Sequence, residues 1–582
     1  LNEKYITAEE ILDVLCNVID RSYIIPNSII CLDGFTGFTP AQYKLLTILM
    51  KKAKKVLVTV TVDPREDISK VDEEFKLFHL SKKTIKRLMD IAKEEEIQVD
   101  KHIYAEELSS KIPYRYLNSP PLAALERNIF RYPSVSYVKE QDSIRIHAAR
   151  DGKQEIGYVI REIKHLIRVE NYRYQDIAVI TGDIASYGRI AEQEFEKAGI
   201  PCFIDQKKDI LSNPFVEFIR SALDIVKNDF DYESVFRYLR CGMGNVDREE
   251  VDILENYVIA LGIRGRKRWN TQWTRTYRGQ REGELNRINE LRKQLCEEMM
   301  PLYEVLSDRS KNVAEYTTAL YEFGVKMDAA GKLENYRIHF AEESMLSTAK
   351  EYQQIYGIVM ELYEKLVELL GEDKLSLKEY TEVLEAGLGE AKVGLIPPGL
   401  DQIVVGDIER TRLKDIKALF FVGVNDGIVP KSNTGGGILS DLEREMLAEH
   451  KIEMAPTRRQ AAYTEQFYLY LNMTKPQDKL YVTFSKVSED GKSLRPSYLV
   501  GVLQMLFPKI TIEEDEEFTE ELEQIIGNDG GVDYLIDGLR RFPYEEVSDT
   551  WRELFRYYNS KAEYQQTIGN LIDAVFYVNT DM

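Results

Sequence analysis

Three observations predict an α/β protein with two parallel-sheet units, the second interrupted by an all-α insertion. Short unbroken apolar runs, such as SIICLD from Ser28 and DIAVIT from Asp176, alternate with amphipathic stretches of helical length. A strand covered on both faces reads as such a run, and strand–helix–strand is the rhythm of a parallel sheet. Residues 229–390 then carry hardly any strand signal and are rich in Leu, Glu, Lys and Tyr at helical spacing, before the α/β pattern resumes at Gln402.

The first run, SIICLD, leads through a Gly-Phe-Thr-rich loop into a helix opening near Pro40, since proline suits a first helical turn. A second strand, KVLVTVTVD, starts at Lys55, and Val71 to Glu96 reads as helical, with Phe75, Phe78 and Ile85 among its apolar positions. A new unit opens at Ser143 with the strand SIRIHAA and a helix from Lys153 to Val169. The strand DIAVIT and a helix from Tyr187 to Ala198 follow, stopped by Gly199-Ile200-Pro201. A short strand, CFID, precedes a helix beginning near Asn213-Pro214. Beyond the helical stretch lie strands at Ala418–Val424 and Lys479–Ser485. The acidic run Ile512–Gln524 reads as solvated surface or linker, and the last residues read as helical.

The expected organisation is 1–140, remainder of a first α/β domain; 141–228 and 391–510, the two parts of a second; 229–390, the all-α insertion; and 511–582, an acidic linker and helical tether. A chain of 582 residues exceeds one core, with about three to four domains expected. Its 44% hydrophobic and 30% charged content is that of a globular protein. No run of about 18 apolar residues suggests a membrane span, and no membrane partner is expected. Cys16, Cys31, Cys202, Cys241 and Cys296 are scattered without a Cys-x-x-Cys pair, which argues against a zinc site or disulfide framework and favours a reducing cytoplasm. A net charge of −21 argues against a surface that coats nucleic acid generally, but leaves room for a local basic channel. The start, LNEKYITAEEILDVL, has neither a basic region nor an apolar signal core and reads as the cut edge of a longer protein.

Several motifs share one resemblance. Val404–Pro430, VVGDIERTRLKDIKALFFVGVNDGIVP, resembles the fifth conserved motif of UvrD/RecB-type superfamily-one DNA helicases, a loop feeding a strand that ends in Gly-x-x-x-Gly and a proline. The ordered series EIGYVIREIKHLI, DIAVIT and AGIPCFIDQKKDILSNPFVEFIRSALDIV resembles the start of the second motor domain of that group. The run Asp33 to Gln42, DGFTGFTPAQ, and the LENYVIALGIRG string with its later Trp resemble the AddB family of helicase-nuclease subunits. The resemblance spans most of the chain and implies two RecA-like helicase domains, the first incomplete.

It also implies a nucleotide pocket that has lost its chemistry. Family helicases follow the magnesium-binding aspartate with a glutamate that positions water; here Asp33 is followed by Gly34, with Gln42 downstream. Glycine cannot polarise water or relay a proton. Asp33 also suits a plain turn cap at a strand end. The sixth motif supplies γ-phosphate-sensing arginines; Gln466 and Phe467 occupy those positions, and Lys475 replaces a third. Lysine lacks the guanidinium fork. The family's Asn-Tyr-Arg-Ser string aligns loosely with Phe78-His79-Leu80-Ser81-Lys82-Lys83, without its arginine.

Other positions suggest DNA contact. Phe35 and Phe38, at the carboxyl edge of the first sheet, suit base stacking or packing beneath the following helix. Arg410, Thr411 and Arg412 suit a phosphodiester, or pairing with Asp407, Glu409 and Asp415 on a solvated loop. In the helical insertion, Arg264, Arg266, Lys267, Arg268, Arg275, Arg278 and Arg281 are interleaved with Trp269, Trp273 and Tyr277, with no acid from Ile263 to Arg281. That pattern suits a nucleic-acid backbone with stacked bases, or a structural loop bridging to acidic helices.

The family further implies double-strand-break repair by recombination, scanning of a strand for a Chi-like sequence, an AddA-like motor/nuclease partner, and DNA as a single strand or unwound duplex end. No Gly-x-x-x-x-Gly-Lys-Ser/Thr loop is found in this sequence. The resemblance implies that the magnesium, ATP and iron-sulfur cluster of full-length members lie outside these residues, with no catalytic or metal-binding residue expected within them. An active helicase and a DNA-free interaction scaffold are the competing readings.

Overall fold

The computed structural model describes residues 11–71, 73–104, 113–277, 283–343, 345–394, 401–431, 439–450, 452, 454–488, 490–514 and 527–577. The chain divides into two compact units, residues 1–204 with 401–582, and residues 205–400.

The first unit holds strands β1 (Ile29–Leu32), β2 (Lys55–Val58), β3 (Ile144–Ala149), β4 (Ile177–Thr181) and β5 (Cys202–Ile204). The second contributes β6 (Lys208–Asp209) and β7 (Lys392–Val393); β8 (Ile403–Asp407), β9 (Ala418–Val422), β10 (Lys479–Ser485) and β11 (Ile512–Glu514) return to the first. Strands β1 and β2 pair in parallel. The large sheet has the order β11-β3-β10-β9-β4-β8-β5, every pairing parallel.

Strand alternation explains why the central strands read as unbroken apolar runs. In β9, Leu419 and Phe421 join one core, and Ala418, Phe420 and Val422 the other. Helices Gly152–Arg168 and Ile184–Lys197 cover the second face, with Ile156, Val159, Ile163, Ala191 and Phe195 buried. Helices Pro120–Asn128, Arg458–Met473 and Tyr498–Leu506 bury Leu122, Leu125, Phe467, Leu469 and Leu503 on the first. Because all strands run one way, their carboxyl ends share one edge, where loops converge.

Three expectations are corrected. Helix Pro214–Lys227, assigned from sequence to the α/β domain, belongs to the helical unit, where Phe215, Phe218, Ile219 and Leu223 join its core. It is apolar around most of its circumference, as a bundle-interior helix must be. The start of the acidic run is no linker: Ile512–Glu514 forms the edge strand β11 on β3. Residues 515–526 of that run lie outside the described residues. The helix near residue 71 begins only at His79, and Phe75 is exposed while Phe78 is buried.

The helical unit starts and ends side by side, since β6 and β7 pair antiparallel with Lys208 opposite Val393. Near the end of the chain, helices Gly527–Arg541, Asp549–Ser560 and Gln565–Val575 enclose a separate small core of Leu535, Leu539, Trp551, Tyr558 and Ile568. No described helix is long and apolar enough to cross a membrane.

Candidate functional site

The carboxyl edge of the large sheet is organised by a buried carboxylate. Glu155, fully buried in the first turn of its helix, accepts from Tyr187 Oη at 2.7 Å, Gly423 N at 2.7 Å, Thr483 Oγ1 at 2.5 Å and Ser485 Oγ at 2.6 Å. These donors come from a neighbouring helix and from the ends of β9 and β10, so one side chain ties three elements. Burial, with Glu155 alongside, raises the Tyr187 phenol far above its ordinary value and keeps it a donor. Gly423 has φ +67°, and a Cβ there would lie 2.6 Å from the Tyr187 ring, so only glycine fits. Asn425, also fully buried, donates to Ser485 O at 2.7 Å and Arg495 O at 3.2 Å and accepts from Ser485 N. The Gly423–Gly427 turn is thus fixed from below. Glu155 was missed in the sequence; the signal was an acid adjoining the apolar stripe Ile156, Val159, Ile160 and Ile163.

Facing this edge is the seam with the first strands. Asp33, at the end of β1, accepts a hydrogen bond from Thr59 Oγ1, and Thr59 in turn accepts from Gly34 N at 3.0 Å. Gly34 has φ +69°, where a side chain is strained. The guanidinium of Arg412 donates to Gly34 O at 3.2 Å. Tyr468 Oη and Thr36 Oγ1 are 3.2 Å apart across the same seam. Arg115 donates to Thr474 O at 3.2 Å, and Tyr116 Oη donates to the same carbonyl. Burial, reinforced by Arg115 and Arg412, lowers the Lys475 ammonium below its ordinary value, with Asp33 pulling the other way. Arg115 is bound at Thr474, next to Lys475, and Arg412 at Gly34, next to Asp33, so the cations of the seam are placed by backbone carbonyls.

The segment Phe78–Lys83 packs structurally: Phe78 is core, and Lys82 is buried and paired with Glu66 at 2.8 Å. An arginine of the seam, Arg115, stands in Tyr114-Arg115-Tyr116, just before Pro120-Pro121, a helix-start signal.

The remaining predicted residues divide clearly. Gln42 does not face the seam as a free amide: its Oε1 accepts from Thr39 N at 2.8 Å in a capping box, with Thr39 Oγ1 receiving Gln42 N. Phe35 and Phe38 are half-buried and stacked on one another, centroids 5.1 Å apart, and Phe38 meets Tyr43 edge-on. Phe467 is 1% exposed and sits edge-on to Phe78 at 6.0 Å, in a group capped by the Arg131 guanidinium over Phe78 and Tyr470. Gln466 is half-buried on the same helix.

In the fifth-motif loop, Arg410 and Arg412 are exposed, whereas Thr411 is buried. Thr411 Oγ1 accepts from Asp407 N at 2.8 Å and its side chain lies against Gly406. Thr411 thus shapes the loop and is withdrawn as a phosphate ligand. Asp407 accepts from Glu409 N at 2.9 Å and lies 3.6 Å from Lys431 Nζ, while the Arg412 guanidinium turns to Gly34.

In the helical unit, Trp269 and Trp273 are interior, 1% and 6% exposed, with Tyr257 stacked on Trp273 at 5.1 Å. Trp269 therefore presents no face for a base, contrary to the sequence expectation; the indole fills the core between Phe230 and Trp273. Arg264, Lys267 and Arg268 are exposed and Arg266 half-buried. Arg278 and Arg281 lie outside the described residues.

The family described as UvrD-like helicase C-terminal domain matches residues 114–487, so its match begins beside Arg115. The family described as ADDB, N-terminal, matches residues 1–126. The chain is 50% identical, over its whole length, to the ATP-dependent helicase/deoxyribonuclease B-subunit of Lachnoclostridium phytofermentans, and covers 51% of that protein. Proteins of the same description from Clostridium novyi and Clostridium acetobutylicum are 36% and 34% identical over the whole chain, which covers 50% and 51% of them. The chain thus spans about half the length of the curated relatives it matches.

Proposed function

The chain belongs to the UvrD-like helicase family, in its AddB-type branch, and from that premise we propose that it is an inactivated-helicase scaffold that binds and guides single-stranded DNA. The observation that carries this reading is the seam. Where an active site needs a water-positioning carboxylate, Gly34 offers a backbone carbonyl clasped by Arg412. Where it needs an arginine, Phe467 is packed into the core. Phosphoryl transfer depends on such charged groups placed around the γ-phosphate, and an arginine there contributes roughly 10³–10⁵ in rate. The cations that remain, Arg115, Arg412 and Lys475, are tied to carbonyls or subdued by burial.

On this reading the chain works beside an AddA-like motor/nuclease subunit, in the cytoplasm, during processing of broken DNA ends, and passes one strand along for Chi-like scanning. The relatives are named as one subunit of an ATP-dependent helicase/deoxyribonuclease, which supports a partner and a DNA substrate. The test is ATP hydrolysis by the purified chain with saturating single-stranded DNA. No DNA-stimulated turnover is expected, either from the chain or from its Gly34→Glu variant. Turnover stimulated by DNA overturns the scaffold reading in favour of an active helicase.

A further inference from the structure

The basic segment of the helical unit is built in two tiers. One tier is structural. Arg266 lies over the Tyr303 ring at 4.4 Å, Arg268 donates to Gly262 O at 2.8 Å, and Arg292 donates to Trp269 O at 2.6 Å. Trp273 Nε1 donates to Arg268 O at 2.9 Å, Asn289 holds both the N–H and the carbonyl of Trp273, and Tyr257 Oη donates to Arg275 O at 2.6 Å. Two of the aromatic rings that the sequence pattern offered to bases, Trp269 and Trp273, are instead the foundation of the loop.

The other tier faces solvent. Arg264, Lys267 and Arg275 are exposed, and among the described residues none of their side chains has a hydrogen-bond, ion-pair or ring partner. By contrast, Arg237, Arg240 and Arg287 of the same unit are each matched by two carboxylates. Exposed Gln272, Thr274 and Thr276 add neutral donors between the cations. One acid adjoins the segment: Asp229 Oδ2 would lie 3.3 Å from a Cβ at Gly265. Solvent-facing cations without a partner, held on a braced loop, leave their charge available to an anionic ligand.

We infer that Arg264, Lys267 and Arg275 form a track for the phosphodiester backbone of a nucleic acid, gripping phosphates without stacking or reading bases. Cations and amide or hydroxyl donors satisfy phosphate oxygens, while base recognition needs exposed rings or edge-directed groups on fixed elements. Burial removes the rings of Trp269 and Trp273, and the half-buried Tyr277 ring is engaged edge-on by Tyr257 at 6.2 Å. The inference rests on the DNA-guiding reading and specifies how this unit meets its ligand.

The experiment is fluorescence anisotropy of the full chain against a labelled 20-nucleotide single strand and an abasic strand of equal length, over a salt series. Both titrations are repeated with an Arg264→Ala/Lys267→Ala/Arg275→Ala variant. These side chains are solvent-facing, so the variant keeps the fold, checked by an unchanged thermal transition. The wild type is expected to bind both strands with a salt-dependent affinity. The variant is expected to weaken both equally and to flatten the salt slope by about 2, at roughly 0.7 per lost phosphate contact. A variant that weakens the natural strand about tenfold more than the abasic strand overturns the inference, because the track is then reading bases. Wild-type binding unaffected by the variant also overturns it, leaving DNA guidance to other residues. Absence of wild-type binding at low salt sinks the DNA-guiding reading itself. Displacement of the strand by polyglutamate at lower charge equivalents than by polyphosphate overturns the inference in favour of an acidic protein segment.

Discussion

The Arg412 guanidinium and the Gly34 carbonyl oxygen are hydrogen-bonded at 3.2 Å, joining the fifth-motif loop to the end of β1. On the scaffold reading, Arg412 thereby occupies the backbone at the position where an active helicase would need a water-positioning carboxylate.

Restoring the carboxylate is not expected to restore hydrolysis. Gly34 has φ +69°, so Gly34→Glu is strained by roughly 1–2 kcal/mol. Its side chain would also meet Arg412, whose Nη1 is 4.0 Å from an added Cβ. The expected outcome is a lowered melting temperature and unchanged ATP turnover, read by calorimetry and a phosphate-release assay.

Phe467→Arg is expected to be costlier. The position is interior, beside Phe78 and Tyr470, and Arg131 already lies over their rings. An added unpaired cation there costs about 3 kcal/mol or more, visible as early unfolding in urea without gain of hydrolysis. A stable variant that hydrolyses ATP would show that the helix can turn this position back to the seam.

Glu155 anchors the turn after β9. Glu155→Ala strands four donors in the interior and is expected to cost about 3 kcal/mol, while Glu155→Gln keeps an acceptor and costs about 1 kcal/mol. Equal melting temperatures for the two variants would show that packing, not hydrogen bonding, holds this turn.

Acid sensitivity has an assignable contributor. Burial alone would raise the Asp63 carboxyl, but hydrogen bonds from Arg65 and the nearby Arg131 outweigh it and hold the value at about 2. A carboxyl with a lower pKa folded than unfolded stabilises the fold above its unfolded value, near pH 4, and this contribution is lost as pH falls toward 2. Asp63→Asn is expected to remove about 2 kcal/mol at neutral pH and to flatten the stability curve between about pH 4 and 2, measured by denaturation across that range.

The strands were legible because the sheet is covered on both faces: β4 and β10 appear in the sequence as the unbroken runs that such coverage demands. The domain boundary was less legible, since helix Pro214–Lys227 is continuous in pattern with the α/β segment and only packing assigns it to the helical core. Phe467 could be read as a lost arginine, but not as a core residue, because that depends on Phe78 from a distant segment. Arg115 escaped notice because the seam forms between segments about 360 residues apart, as its bond to Thr474 shows. The tryptophans misled for a general reason: composition reveals aromatic rings beside cations but not which of them face solvent.

The most direct test of the scaffold account is binding of a labelled single strand to this chain with and without magnesium and a non-hydrolysable ATP analogue. The account predicts salt-sensitive binding whose affinity changes by less than about twofold with nucleotide, because the seam has no working γ-phosphate sensor. An affinity shift of about tenfold or more with nucleotide, or no binding at low salt, would contradict it.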